Sequence, residues 1–180
     1  MFFVYVRRGV NLGVKLTKRL QKVKTPSERL VTVYQIKATQ DFTIVIYNGI
    51  DYQTEKIKKG DLGGYVEEGV ILGENSWLHA DSIIFGKSRF DGVTCGYVRI
   101  EDSMVDEGSI IGGRTIITNS TIGKSTTVAG TTSIKDSKVQ NKALIIGTII
   151  RESRVREGAV IKCAGTIVKD DVKGNRFSKK

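Results

Sequence analysis

A short repeat covers residues 103–161 and limits the chain to few folds. Eleven residues spaced five or six apart are all Ser, Thr or Ala, and the residue two places after each is Val or Ile. The small residues are Ser103, Ser109, Thr115, Ser120, Thr126, Thr132, Ser137, Ala143, Thr148, Ser153 and Ala159, and the β-branched residues are Val105, Ile111, Ile117, Ile122, Val128, Ile134, Val139, Ile145, Ile150, Val155 and Ile161. Positions two apart in a strand point to the same side, so both sets are predicted to point inward. Three units form one coil, and coils stack through parallel strands.

The composition supports an all-β chain with a solenoid as its main part. One Pro, 20 Gly and abundant Val, Ile and Thr favour strands over helices. We predict a parallel β-helix of about six triangular turns, each of roughly 16–18 residues, over residues 66–168. Residues 31–65 are predicted to form a small β-hairpin cap, because Asn48-Gly49 marks a tight turn between two strand-like runs.

The two ends of the chain are predicted to be basic. Residues 1–30 are expected to hold a short helix, with Thr25 as its cap and Pro26 at its first position. Residues 169–180 are expected to form a basic tail. The repeat is also less regular before Ser103, and residues 91–95 are predicted to bulge out of the coil as a loop.

The outward residues, which lie between the small and β-branched positions, predict an apolar surface. They sort into three predicted columns: Trp77, Tyr97, Ile116, Ser133, Ile149 and Ile167; Ile71, Arg89, Ile110, Thr127, Leu144 and Val160; and Ile83, Met104, Thr121, Lys138 and Arg154. The first two are mostly apolar, which is more than a soluble monomer usually exposes. We expect a dimer or trimer interface at Trp77, Tyr97, Ile110, Ile116, Leu144, Ile149 and Val160, with cover by the N-terminal segment as the alternative.

A glycine-rich segment carries a resemblance to a known group of proteins. The run Tyr34-Gln35-Ile36-Lys37-Ala38 followed by Lys59-Gly60-Asp61-Leu62-Gly63-Gly64-Tyr65-Val66 resembles the head of bacterial and prophage hexapeptide-type proteins. The resemblance covers about residues 31–168. It implies a left-handed β-helix, and the transferase label of that group reflects fold kinship alone. The basic residues 1–30 and the looser repeats depart from the pattern.

The charge is distributed unevenly and predicts an acidic partner. Residues 61–107 hold 3 basic and 10 acidic side chains, whereas residues 108–168 hold 9 basic and 3 acidic ones. Residues 1–60 add 12 basic and 4 acidic side chains. We expect an acidic protein surface or another polyanion as partner, with nucleic acid as an alternative. The candidate contacts are Arg7, Arg8, Lys15, Lys18, Arg19, Lys22, Lys24, Lys138, Arg154 and Arg156.

Candidates for catalysis are few. Hexapeptide acyltransferases resemble this chain in their repeats and generally use a His base, for which His79 is the one candidate because the chain has a single His. A zinc site of three His ligands is therefore excluded within one chain, and we expect neither a metal nor a cofactor. The serines of the repeat occupy structural positions without a nearby base, which disfavours a nucleophile.

Three classes of function follow. The first is a non-catalytic binding or scaffold protein of bacterial or phage origin, and a phage inhibitor of a host defence protein belongs to this class. The second is a hexapeptide-type acyltransferase, and the third is a nonspecific nucleic-acid binder that uses the basic ends. The two cysteines form no disulfide framework and no run of 18 apolar residues exists, so we expect a cytoplasmic protein with no membrane partner, in the host cell if phage-encoded.

Overall fold

The computed structural model describes residues 13–48, 50–74 and 76–177, and these ranges contain β-strands and no helix. The strands of the first half are β1 (Val14–Lys24), β2 (Leu30–Ala38), β3 (Phe42–Tyr47), β4 (Tyr52–Ile57), β5 (Leu62–Glu67), β6 (Ile71–Leu72), β7 (Ile83–Phe85), β8 (Arg89–Glu101) and β9 (Met104–Thr118). Those of the second half are β10 (Thr121–Ile122), β11 (Thr127–Ala129), β12 (Thr131–Lys135), β13 (Lys138–Val139), β14 (Leu144–Arg151), β15 (Arg154–Val155), β16 (Val160–Val168), β17 (Asp171–Val172) and β18 (Arg176–Phe177).

Parallel pairing from β5 to β18 builds a solenoid of about six turns with three walls. The outward residues of wall A are Ile83, Arg99, Ile116, Ser133, Ile149 and Thr166. Those of wall B are Trp77, Val93, Ile110, Thr127, Leu144 and Val160. Those of wall C are Ile71, Arg89, Met104, Thr121, Lys138, Arg154 and Asp171. The solenoid therefore runs on beyond residue 168 into the segment predicted to be a tail.

The interior follows the predicted repeat residue by residue. All eleven Val and Ile positions between Val105 and Ile161 are at most 1% exposed, and the small residue two places before each is also buried. β-Branched side chains suit this packing because their restricted rotamers fill a pleated surface. The predicted all-β parallel solenoid is confirmed, and its left hand stays a prediction of the resemblance.

One corner of the solenoid, between walls A and C, is held by stacked serines. Ser120 Oγ donates to the carbonyl of Thr118 at 2.7 Å and accepts from the amide of Ser137 at 3.1 Å. The same pair of bonds recurs in the neighbouring coils. The residue before each serine has a positive φ of 47–49°, as at Asp102 and Asn119. Asn and Asp tolerate this conformation better than most residues, which explains the polar residue that precedes each serine.

The loop predicted at residues 91–95 is wrong, because this segment is a rung of wall B within β8. The inward position of this rung is occupied by Thr94 rather than by a Val or an Ile, and Thr94 is fully buried. The Thr94 hydroxyl donates to Ser82 Oγ at 2.6 Å and accepts from the His79 amide at 3.0 Å. A buried hydroxyl with both bonds made costs little, so a polar residue can replace the apolar one.

Because residues 91–95 were predicted to be a loop and not a rung, the outward residues that precede them were assigned to the wrong walls. Trp77 belongs to wall B, Ile71 and Arg89 belong to wall C, and Ile83 belongs to wall A. Tyr97 is also wrong as the neighbour of Ile116, because Arg99 aligns with Ile116 and Tyr97 aligns with Arg114 at the edge of wall A. Ile167 is also wrong as an outward residue: an extra residue in β16 shifts the register, so that Ile167 aligns with the inward Ile150 and is buried.

The N-terminal part continues the sheet and begins with a strand rather than a helix. β1 pairs antiparallel with β2, and β2 pairs antiparallel with β5, the first strand of wall A. The predicted helix at Thr25 is wrong, because Lys24 pairs with Leu30 and closes a turn between the two strands. Glu28 has a φ of 66° in that turn, which is incompatible with a right-handed helix.

A buried carboxylate fixes this turn to the solenoid. Glu101 is 2% exposed, and it accepts hydrogen bonds from the Ser27 amide at 2.8 Å, the Ser27 hydroxyl at 2.5 Å and the Arg29 guanidinium at 2.9 Å. Burial alone would raise the pKa of the Glu101 carboxyl, but the hydrogen bonds from Ser27, Thr25 and Arg29 outweigh it, and the pKa is lowered.

The two adjacent glycines of the glycine-rich segment are required by close packing. A Cβ on Gly63 would lie 2.6 Å from the Leu78 carbonyl oxygen, and one on Gly64 would lie 2.3 Å from the Ser82 carbonyl oxygen. β5 can therefore lie against the next coil only with glycine at both positions. This segment has a structural role where the first strand of the solenoid meets β2.

A pair of adjacent substitutions on wall A tests the register. Ile134 is fully buried and Ser133 points outward. Ile134→Asp should destabilise the fold by about 4 kcal/mol or more, because a buried charge without a partner is very costly. Ser133→Asp should change the free energy of unfolding by about 0.5 kcal/mol or less. Equal losses in chemical denaturation would contradict the register.

A second prediction concerns the pH dependence of the Glu101 contact. Because the folded pKa of Glu101 lies below its unfolded value, its stabilisation is complete above about pH 4.3 and is lost as the pH falls through the folded pKa. Glu101→Gln should cost about 2 kcal/mol at neutral pH and less in acid. Chemical denaturation of the wild type and the variant, at neutral pH and at a pH below the folded pKa of Glu101, measures this difference in the free energy of unfolding. The exposed Glu68→Gln is the control, and a Glu101→Gln cost that does not depend on pH would contradict the account.

Candidate binding surfaces

The β3–β4 hairpin lies along wall B, whereas the sequence predicted a cap over the first end of the solenoid. Phe42 packs edge-on against Trp77, with ring centroids 5.6 Å apart. Tyr47 packs with Ile110 further along the same wall, and the Tyr52 hydroxyl lies 2.9 Å from the Thr127 hydroxyl. The hairpin therefore covers the outward residues of four successive rungs of wall B.

A thiol adds to the contact between the hairpin and wall B. The Cys95 thiol donates to the Tyr47 carbonyl at 3.6 Å. Burial raises the pKa of the Cys95 thiol, so the group stays protonated and remains a donor at neutral pH. We assign Cys95 a structural role.

The predicted interface residues fall into three sets, according to the wall on which they lie and whether the hairpin covers them. Trp77 and Ile110 are buried beneath it, at 3% and 8% exposure. Leu144 and Val160 lie on wall B beyond these contacts and are half-buried. Tyr97, Ile116 and Ile149 are exposed on wall A or its edge, at 45%, 38% and 36%. Cover within the chain accounts for the first set, and the predicted homo-oligomer stays a prediction for the rest.

Wall A combines exposed apolar residues with cations. The Arg99 guanidinium lies 3.9 Å from the centroid of the Tyr97 ring, and the Arg114 guanidinium lies 5.8 Å from it. Arg99 also donates to the carbonyl oxygens of Asp81 at 2.5 Å and Val98 at 3.0 Å. These contacts fix one aromatic and one cationic group at the edge of the wall.

Wall C borders a groove of about 640 Å³ in the last turns of the solenoid. Lys138 and Arg154 lie on adjacent rungs of the groove, about 4.8 Å apart along the solenoid axis. Acidic residues line it too, but three of them have cationic neighbours: Asp136 lies near Lys135, Glu152 near Lys169 and Asp171 against Arg156. Among the described residues, neither the Lys138 nor the Arg154 side chain has a hydrogen bond or an ion pair within 4.0 Å, although Arg154 lies one rung from Asp171 and, after Arg156, helps to lower the pKa of that carboxyl.

Most cations of residues 108–168 have no acidic side chain within 4.0 Å among the described residues. Lys124, Lys135 and Arg156 have acidic partners within 4.0 Å. The other six have none among the described residues: Arg114, Lys138, Lys142, Arg151, Arg154 and Lys162. Arg114, Lys142, Arg151 and Lys162 were not among the predicted contacts. Arg151 follows the inward Ile150, so strand alternation would have placed it outward.

The basic N-terminal residues lie at the opposite end of the sheet. Lys15, Lys18, Arg19, Lys22 and Lys24 are exposed on β1, the edge strand of the sheet. Lysines on an edge strand discourage pairing with another chain, which is a structural reason for their presence. Arg7 and Arg8 lie outside the described residues.

His79 sits at the corner between walls B and A. Its Nε2 atom lies 3.3 Å from Oε2 of Glu55, which belongs to β4. The side chain is 40% exposed and joins the hairpin to the solenoid. A His–carboxylate pair can orient a general base, but the contact equally holds the hairpin in place. The acyltransferase alternative stays a prediction.

Within the described part of the chain, no group of three or more His, Cys, Asp or Glu side chains is arranged to hold a metal ion. The same residues include no helix that could cross a membrane. Comparison with known proteins finds no family model and no curated protein that matches the chain.

The fluorescence of Trp77, the single Trp of the chain, tests the hairpin cover. We expect blue-shifted emission and weak iodide quenching that do not change on dilution, because the cover comes from the same chain. Phe42→Ala should increase quenching and cost about 2 kcal/mol. Ile50→Ala, at the exposed tip of the hairpin, is the matched control and should change neither. Quenching that rises on dilution of the wild type would indicate cover by another subunit.

Proposed function

We propose that the protein is a non-catalytic scaffold that holds an acidic partner on the cationic second half of its solenoid. The observation that carries the proposal is the set of six cations in residues 108–168 without an acidic partner among the described residues. Arg114 and Arg151 flank wall A, and Lys138 and Arg154 lie on wall C.

Uncompensated cations on adjacent rungs repel each other, by about 1 kcal/mol at this separation in water. An acidic partner would relieve this repulsion, and the field of the cations would speed its approach. The paired side chains nearby show that the chain can neutralise a cation, as Arg156 does with Asp171. The unpaired cations are therefore the part of the surface best suited to a partner.

The resemblance to prophage proteins favours a bacterial or phage setting in the cytoplasm. A phage inhibitor of a host defence protein would act in this way, by occupying an acidic surface of its target. Nucleic acid is the alternative partner, and the exposed cations of β1 are the observation that favours it.

Charge reversal at two places separates these partners. The probes are a labelled oligoglutamate peptide and a labelled DNA duplex, measured by fluorescence anisotropy between roughly 50 and 200 mM salt. The double variant Lys138→Glu/Arg154→Glu should weaken oligoglutamate binding about tenfold. The matched variant Lys15→Glu/Lys18→Glu, with the same change of charge on β1, should leave it nearly unchanged.

Two results would overturn the proposal. If the wild type bound neither probe at low salt, the acidic partner would be excluded. If the duplex bound more tightly than oligoglutamate and only the β1 variant weakened it, nucleic acid would be the partner.

A further inference from the structure

The middle of wall A contains a notch between two exposed isoleucines. Ile116, Ser133 and Ile149 occupy three successive rungs, so the two isoleucines lie about 10 Å apart along the solenoid axis. Ser133 between them is much smaller and only half-buried. A single apolar side chain from outside could pack over Ser133 and contact an isoleucine on each side.

Cations outnumber acids around this notch, although Lys135 lies 4.0 Å from Asp136. Arg99 and Arg114 lie towards its first end, and Lys135 and Arg151 follow the inward residues of the same rungs. Among the described outward-facing positions of these rungs, the one acid is Glu101, which is buried against the turn at Ser27 and Arg29. The acids at the neighbouring corner have partners of their own, as Glu152 does with Lys169 at 3.6 Å.

Tyr97 at the edge of the notch is arranged for a protein rather than for a base. One face of its ring is already occupied by the Arg99 guanidinium at 3.9 Å. Bases of single-stranded nucleic acids stack on free aromatic faces, whereas tyrosine and arginine together are typical of protein interfaces. The arrangement therefore favours a protein partner.

We propose that wall A between Tyr97 and Ile149 docks a protein whose acidic surface presents an apolar side chain to the notch over Ser133. This inference rests on the proposed function and assigns its partner class and its contact wall. A second copy of the chain fits less well, because the cations around the two notches would face each other. Charge brings the partner to the wall, and burial of the apolar side chain then holds it.

Two peptides of equal length and charge test the inference. One alternates Glu with Leu and the other alternates Glu with Ser, and both are measured by anisotropy near physiological salt. The wild type should bind the Leu peptide roughly tenfold or more tightly than the Ser peptide, since burial of one Leu side chain supplies about that factor. Ser133→Tyr should remove the preference by filling the notch.

Three variants provide the controls. Ser133→Ala keeps the notch open and should retain the preference. Ile149→Lys removes one side of the notch and should abolish it, which keeps the test decisive if Ser133→Tyr unfolds. Lys138→Glu/Arg154→Glu on wall C should weaken both peptides and leave their ratio unchanged. Circular dichroism establishes that each variant is folded.

The outcomes separate the two proposals. If the wild type bound both peptides equally, the docking inference would be overturned while the proposed function stood. If it bound neither peptide, even when the salt was lowered to roughly 50 mM, both would fail. A wild-type dimer in light scattering that Ser133→Tyr dissociates would assign the notch to a second copy and would also overturn the inference.

Discussion

The stacked serine hydroxyls at the corner between walls A and C set the geometry on which the other features depend. Each hydroxyl donates to a carbonyl two residues back and accepts the amide of the serine in the next coil, as Ser103, Ser120 and Ser137 do. A hydroxyl can do both at once, because it has one donor and two acceptor lone pairs. The coils are thereby held in a single register, and every outward residue has a defined neighbour on the rungs above and below.

The interior could be predicted closely because its rule is local. A β-branched residue two places after a small one fills the coil, and Ile134 and Val139 follow that rule like the rest. The rule failed at Thr94, where hydrogen bonds to Ser82 and the His79 amide replace apolar packing. A hydropathy pattern does not reveal these hydrogen bonds, because Ser82 and His79 lie 12 and 15 residues from Thr94 in the sequence. The helix at Thr25 failed for a similar reason, because strand pairing outweighs a good capping residue.

The surfaces were harder to predict than the interior because they depend on long-range contacts. Because the prediction omitted one rung, it assigned Trp77 and Ile83 to neighbouring walls, since each rung advances the chain by one wall. Phe42 of the hairpin, which packs on Trp77, lies 35 residues earlier in the sequence, and no periodicity reveals where the hairpin lies. The cationic half was predictable, because order along the chain is order along a solenoid. Which of its cations have acidic partners required the structure.

The solenoid separates the residues that hold the fold from those that face a partner. Inward positions supply the packing, and every second residue of a strand is free to change without disturbing it. Wall A shows what this freedom allows: Ile116, Ser133 and Ile149 form an apolar notch directly outside the buried Ile117, Ile134 and Ile150. Exposed isoleucines and like charges on adjacent rungs both cost stability in the isolated protein. The packing of so regular an interior offsets this loss of stability. A partner that presents acidic groups and an apolar side chain would remove the loss.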